Sequence, residues 1–299
     1  MTFAYVRDQH GLRRRRPLPR YLARTAFFLA AAPWLPRVEA RMGPLRVELS
    51  TSDRTMSRSV FAAGDWDPLL VGTVFAALDR WGHHYRGRTF VEIGANFGVY
   101  SLPAVAEYGF SSALAYEPEP DAYGLLARNV ERNGLNGRVR PVQAALSRQP
   151  GQLLLNRGRG NAGDNRIVGQ LAAGAAAQEA RGAQVAVRAT TFDDEVSAGT
   201  VDLDEVGLVW LDVQGHEVDV LAGATSLLRS SVPLVMEYST SMMSAAARAE
   251  LDELVADNFR ALVDLGWCAL TNRLCFQPAG AIRELAPAGR ALETDLLLL

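Results

Sequence analysis

From about Thr89 onward, apolar positions come in short runs separated by helix-length stretches. TFVEIG (89–94) reads as a strand, and VYSLPAVAEYG (99–109) as a helix that tolerates Pro103 near its start. ALAYE (113–117) predicts a second strand, and DAYGLLARNVERNG (121–134) a helix stopped by Gly134. VRPVQAAL (139–146) is expected as a third strand. VGLVWLDV (206–213) is the near-continuous apolar run of a strand covered on both faces. GHEVDVLAGATSLLRSS (215–231) spaces Val218, Leu221, Ala222, Thr225 and Leu228 for one packed helix. PLVMEY, a long helix over 243–265, GWCALT and the closing TDLLLL complete the set. This alternation predicts an α/β fold, a mostly parallel sheet with helices on both faces, whose end strand is free to run antiparallel.

One segment breaks the alternation. Residues 156–184 are rich in Gly, Ala and Asn, and read either as a floppy excursion or as a loop over the active face. Within it Asn161 and Asn165 are candidate substrate contacts. A boundary near residue 60 separates an N-terminal extension (1–60), partly helical, from a body (61–299).

Charge sharpens that division. The chain has 299 residues and a formal net charge of −2, which gives no overall attraction to nucleic acid. Residues 1–58, however, hold twelve Arg against Asp8, Glu39, Glu48 and Asp53, a local excess of +8. A basic front on an acidic body suggests contact with a membrane surface or a partner. The apolar stretch Thr25–Leu35 is broken by Pro33 and falls short of the ~20 residues that span a bilayer. An amphipathic helix that docks on the body or lies on a membrane is therefore expected. Two cysteines, Cys268 and Cys275, make neither a disulfide scaffold nor a metal knuckle. They fit a reducing compartment, so a soluble, cytoplasmic protein is expected.

The chemistry concentrates at TFVEIGANFGVYS (89–101). Ligands of doubly wound sheets sit outside the carboxyl ends of the strands, so the turn after the first strand is the place to look. Glu92-x-Gly94-x-Asn96-x-Gly98 differs from the dinucleotide pattern GxGxxG. Glu92 places negative charge where a pyrophosphate would lie, which speaks against NAD and favours a cation such as a sulfonium. Glu117, ending the second strand, stands where a ribose diol is commonly held. Each has a plainer alternative: an incidental Glu at a strand-to-helix turn, and an acid favoured by a helix dipole.

FVEIGANFGVYS, AYEPEP, NVERNGL, VQAALS, TTFDD, WLDVQGHEVDVLAGA and PLVMEY, in that order, resemble the FkbM-type S-adenosylmethionine (SAM)-dependent methyltransferases. The resemblance implies a seven-stranded Rossmann-like sheet and methyl transfer to a hydroxyl of a sugar, polyketide or other small metabolite. It implies that Glu92, Gly94, Asn96 and Gly98, with Ala95, Tyr100 and Ser101 of the same turn, line the methionine part of SAM. Glu117, with Pro118, would hold the ribose, and Ala144, Ala145 and Leu146 would lie near the adenine. Asp212 would face the transferred methyl and the acceptor. Two positions depart from the family's usual KxDVEGHE: Trp210 stands in the Lys place and Gln214 in that of the first Glu.

A hydroxyl acceptor must lose its proton as it attacks. His216 is the preferred base because imidazole titrates near neutral pH. Asp212 follows, as base or as the group that orients His216, and Glu237 ends PLVMEY on the same sheet edge. Plain alternatives are a backbone-bonded His, a capping Asp, and a solvated or Arg-paired Glu. Asp212, His216 and Glu217 put only two members on one helical face, so no metal is expected. An NAD-type oxidoreductase and a non-catalytic SAM- or partner-binding module are the competing classes. A homo-oligomer is compatible with either.

Overall fold

The computed structural model describes residues 18–158, 165–170, 184–286 and 291–299. It opens with α1 (Leu18–Ala31), the hairpin β1 (Arg37–Met42) and β2 (Leu45–Ser50), then α2 (Met56–Ala63) and α3 (Pro68–Trp81). The alternating section follows: β3 (Thr89–Ile93), α4 (Ser101–Ala106), β4 (Ser112–Tyr116), α5 (Pro120–Arg132) and β5 (Val139–Val142). Next come β6 (Ala145–Leu146), β7 (Gly151–Asn156), β8 (Arg166–Gln170), β9 (Gln184–Thr190), α6 (Phe192–Ser197) and β10 (Val206–Leu211). The chain continues through α7 (Glu217–Ala222), α8 (Thr225–Leu228), β11 (Leu234–Ser239), α9 (Ala245–Asn258) and β12 (Ala261–Asp264). It closes with α10 (Leu265–Thr271), β13 (Gln277–Pro278), α11 (Ile282–Leu285) and β14 (Glu293–Leu298).

The main sheet has the order β13-β12-β14-β11-β10-β3-β4-β5. Strands β5, β4, β3, β10 and β11 pair in parallel, and β14 lies antiparallel between β11 and β12. These seven are the expected Rossmann-like set with its reversed strand. The two-residue β13 adds an eighth at the edge through Ala261↔Pro278 and Leu262↔Gln277. All six residues of β10 are buried. Leu208 and Trp210 enter one apolar core while Val209 and Leu211 enter the other, as period-two alternation in a doubly covered strand requires.

Three expectations differ from the structure. VRPVQAAL is not one strand: β5 stays in the main sheet, and β6 leaves it to pair with β9. The apolar spacing of 215–231 does not yield one helix, because Gly223 breaks it against the backbone of residue 147. A Cβ at Gly223 would lie 2.2 Å from the Ser147 carbonyl oxygen. The helix read over 243–265 stops at Asn258, where Arg260 and Ala261 donate their N–H groups to the Leu299 carbonyl and the chain becomes β12. An edge demanding a partner overrides helix propensity there. GWCALT is helical: Asp264 caps α10 by accepting from Trp267 N at 2.8 Å.

The excursion contains structure of its own. β7, β8 and β9, with β6, form a second sheet of order β6-β9-β7-β8. Asn161 lies outside the described residues. Residue 60 falls inside α2, and one apolar core runs across it from Phe28 and Val47 to Phe97 and Val235. Asn129 of α5 and Asn133, the residue that follows the helix, join the hairpin to the body. Asn129 Oδ1 accepts from Glu48 N at 2.6 Å, and its Nδ2 donates to the carbonyls of Glu48 and Phe97, each at 3.1 Å. Asn133 repeats the pattern on Arg46 at 2.9 Å in both directions. Amides thus act as a short strand along β2. Each bond is worth about 1 kcal/mol net, more where the lost partner leaves a buried group unpaired.

Candidate active site

The turn after β3 is wedged between its neighbours. Gly94 N and Ala95 N both donate to the Tyr116 carbonyl at 2.9 Å, and Asp212 N donates to the Ile93 carbonyl at 3.0 Å. Gly94 has φ 92°, and a Cβ there would lie 1.9 Å from the Asp212 carbonyl oxygen. Only glycine allows this approach of the β3 and β10 ends. Asn96, at φ 49°, donates its N–H to Glu117 Oε2 at 2.8 Å. Glu117 Oε1 accepts from Glu119 N at 2.8 Å, so one carboxylate ties the first turn to the second. Burial pushes Glu117 up to about 7. Each oxygen keeps a second lone pair for a ligand hydroxyl.

These turns bound a cavity at the carboxyl ends of β3, β4 and β10. Nine expected residues line it: Gly94, Asn96, Glu117, Pro118, Ala144, Ala145, Leu146, Asp212 and His216. Glu92, Ala95, Gly98, Tyr100 and Ser101 do not; they lie buried behind it. Glu92 Oε1 accepts from Tyr100 N at 3.1 Å and Oε2 from Ser101 N at 2.7 Å, closing the first turn of α4. Burial raises that carboxyl to about 8. It therefore braces the glycine turn from beneath and does not face the cavity.

Sequence reasoning did not find Met56 of α2, Leu155 of β7 and Ile167 of β8, which complete the apolar wall. No local signal marks them, because they arrive from three elements remote in the chain. Asn165, singled out as a loop residue, does line the cavity.

Beyond Asp212 the chain turns through Gln214, at φ 55°, and Gly215, at φ 97°. Gln214 Nε2 donates to Asp212 Oδ1 and to Glu237 Oε2, both at 2.8 Å. One primary amide, with two N–H groups, bridges two carboxylates. Burial raises Asp212 above its ordinary value, and Glu237 is pushed up to about 9 by burial and then by Asp212. Asp295 is the cross-strand partner of Glu237 and is raised to about 8, again by burial first and Asp212 second. At neutral pH Glu237 therefore keeps its proton, and Asp212, whose charge raises Glu237, is the first of the bridged pair to ionise.

His216 is differently placed from a free base. Its Nε2 meets Ser147 Oγ at 2.9 Å and its Nδ1 lies 3.4 Å from Asp219 Oδ2. Burial lowers its pKa, so the ring is neutral at pH 7. Glu217 Oε1 accepts from Gly215 N at 3.1 Å and Val213 N at 3.3 Å, so it closes the turn. Among the described residues, no ion pair neutralises Glu92, Glu117, Asp212 or Glu237. The site is a hollow with the carboxyl groups of Glu117 and Asp212 in its lining, beside an apolar wall. No three His, Cys, Asp or Glu side chains among the described residues are grouped to hold a metal ion.

Comparison with known proteins agrees with this construction. The hexuronic acid methyltransferase AglP of Haloferax volcanii is 25% identical over 146 residues, covering 49% of this chain and 54% of AglP. Methyltransferase 1 of Beauveria bassiana is 30% identical over 151 residues, covering 44% of this chain and 57% of the relative. The chain thus spans about half the length of these curated relatives. The crystal structure of methyltransferase FkbM from Methylobacillus flagellatus aligns at a TM-score of 0.39 and 15% identity, over 79% of this chain and 56% of that one. The model of the methyltransferase FkbM domain matches residues 92–261, more than half the chain and all of β10 and β11. The protein belongs to the FkbM-domain methyltransferase family.

Proposed function

We propose that this protein is a SAM-dependent O-methyltransferase acting on a hydroxyl of a sugar or similar small metabolite. The observation that carries the reading is the cavity lined by Gly94, Glu117 and Asp212, where the two carboxyl groups have no ion-pair partner among the described residues and glycine lets the ends of β3 and β10 close together. SAM, when bound, supplies an electrophilic methyl group on a positively charged sulfur. Glu117 would hold the ribose diol, Asn96 and Gly94 the amino-acid end, and Ala144, Ala145 and Leu146 the adenine. Asp212, half-buried in the cavity lining, would accept the acceptor's proton as the O–C bond forms and the donor's S–C bond breaks. Gln214 fixes its orientation, and the protonated Glu237 leaves a single negative charge on the pair. Much of the acceleration comes from holding the reacting atoms in line, because the reaction disperses charge instead of creating it. His216 positions the turn through Ser147.

The rim also bears on the acceptor. A uronic acid, the substrate class in the name of the Haloferax relative, would bring its carboxylate toward Asp212, the cavity-lining member of the bridged pair. A neutral or amino-bearing sugar or polyol avoids that repulsion. Calorimetry with SAM, S-adenosylhomocysteine and NADH tests the donor: micromolar binding of the first two without the third is expected. Binding of NADH alone would end the reading. Release of S-adenosylhomocysteine with neutral, amino and uronic sugar panels tests the acceptor, and preference for uronic acids would overturn the assignment of charge.

A further inference from the structure

The N-terminal layer carries a surface that methyl transfer does not use. Nine large apolar side chains are exposed among the described residues, and five of them, Leu22, Phe27, Leu29, Trp34 and Leu35, fall on α1 and the turn after it. Trp34 is 83% exposed. No charged residue occurs from Thr25 to Pro36, so the face is uninterrupted. The helix is nonetheless fixed on the body. Phe28 is fully buried against Phe61, their ring centroids 5.4 Å apart, and Arg24 lies 4.5 Å over the same ring. The exposed stripe is therefore presented by a held helix.

A basic groove of about 650 Å³ adjoins it, lined by Arg20 and Arg24 of α1 and by Arg41 and Arg46 of the hairpin. The one carboxylate there, Glu39, is already shared between Arg46 at 3.6 Å and Arg132. Arg24 falls below its ordinary value through burial first and the adjacent Arg20 second, a sign of unrelieved positive potential. Four further arginines, Arg13 to Arg16, precede the helix in sequence. Among the described residues no single helix is long and apolar enough to cross a membrane.

We propose that α1 and the Pro33–Pro36 turn dock this protein on an anionic bilayer, with the apolar stripe in the interface and the arginine groove receiving lipid phosphates. The occupant follows from complementarity. A shallow apolar strip ending in an exposed Trp fits the acyl–headgroup boundary, where such aromatic rings settle. Guanidinium groups match phosphate geometry, and each contributes attraction near an anionic surface.

The full chain should co-sediment with vesicles of equal parts phosphatidylcholine and phosphatidylglycerol. Binding to phosphatidylcholine alone should be on the order of ten-fold weaker, and added salt should weaken the anionic binding. The double variant Arg20→Glu/Arg41→Glu changes two exposed residues and should lower the partition coefficient about ten-fold or more. Leu29→Ser/Trp34→Ser should lower it by a similar factor. Both variants should keep the wild-type melting temperature and S-adenosylhomocysteine affinity, which separates this proposal from the methyltransferase reading. Three outcomes would overturn it. The first is folded protein that ignores anionic vesicles or binds neutral ones equally. The second is full competition by soluble glycerophosphate, which would mark a free-phosphate site. The third is a concentration-dependent dimer in sedimentation velocity that Leu29→Ser/Trp34→Ser dissolves, which would make the face a contact between copies.

Discussion

Replacing Gln214 by Glu puts the bridged pair to its most direct test. The amide donates two hydrogen bonds of 2.8 Å, one to Asp212 and one to Glu237. A carboxylate in its place offers none, and two unit charges about 4 Å apart at a near-surface dielectric repel by about 4 kcal/mol. Taking up a proton costs less, so the new carboxyl stays neutral at pH 7 and donates one bond where the amide gave two. The bond lost, to the protonated Glu237, costs about 1 kcal/mol, and holding the proton against an unfolded pKa of about 4.3 costs a further ~3.7 kcal/mol at pH 7. For a chain of this size the sum lowers Tm by roughly 10 °C or more at neutral pH. The sign with pH follows from linkage. The new carboxyl has a folded pKa above its unfolded value of about 4.3, so it adds no ionisation penalty below pH ~4. As pH rises, the unfolded chain ionises and the folded one does not, and the deficit grows. Melts of Gln214→Glu and wild type at pH 6 and pH 8 should therefore diverge more at pH 8. The turnover profile should shift alkaline as well, because Asp212 then gives up its proton later. Melting curves that coincide at both pH values would show that the amide bridges nothing, and the assignment of Asp212 as the ionised member would fall with it.

Three further outcomes follow from the same geometry. Gly94→Ala and Gly82→Ala both place a side chain at positive φ, 92° and 80°, but only the first meets backbone, at 1.9 Å. Gly82→Ala should cost about 1 kcal/mol of stability and leave SAM affinity unchanged, while Gly94→Ala should abolish SAM binding in calorimetry. Asp212→Asn should lower kcat at least about 100-fold, whereas His216→Asn should lower it about ten-fold and keep the acidic limb of the pH profile; the reverse ranking would make His216 the base. Glu117, raised to about 7, holds ligand hydroxyls best when ionised, so SAM affinity should rise from pH 6 to pH 8 with proton release, and Glu117→Gln should flatten that slope.

The parts of the site readable from sequence are those whose geometry is local. Gly94 and Asn96 announce a tight turn at a strand end, and Glu117 stands one strand over in a βαβ unit whose register is set by Val91↔Leu114 and Ile93↔Tyr116. β3, β4, α5, β10 and β11 follow from period and burial for the same reason. What stayed illegible depends on partners far along the chain. ALVD of β12 looks helical until Leu262 and Val263 meet Leu298 and Leu297 of β14. GWCALT does not declare its helix, which is seated where Gly266 passes Thr294 and a Cβ would lie 2.4 Å from the hydroxyl. Met56 reaches the cavity only because the N-terminal layer folds onto α5 through Asn129, and Asn129 in turn holds the Phe97 carbonyl of the glycine turn. Glu92 shows the limit from the other side. Its position was plain, but only its two backbone donors reveal that it faces the helix and not the ligand.

The two departures from the family pattern make physical sense together. Exchanging a Lys for Trp210 removes one positive charge, and exchanging a Glu for Gln214 removes one negative charge, so the local balance around Asp212 is conserved. Trp210 is buried and stacks on Tyr100 with centroids 4.0 Å apart and planes inclined by 27°. Tyr100 OH in turn accepts from Trp66 Nε1 at 3.0 Å. A lone ammonium set into that stack would need a carboxylate partner, and the nearest turn carries an amide. Conversely, a carboxylate at 214 without the ammonium would crowd a third acid against Asp212 and Glu237. Each change alone strands a charge, and both together leave the net charge unchanged and put an aromatic stack and a neutral bridge in their place. Trp210 lies on β10 two residues before Asp212, so the aromatic stack is set into the strand that leads to the ionising carboxylate. Gln214→Glu combined with Trp210→Lys should therefore lose less stability at pH 8 than Gln214→Glu alone.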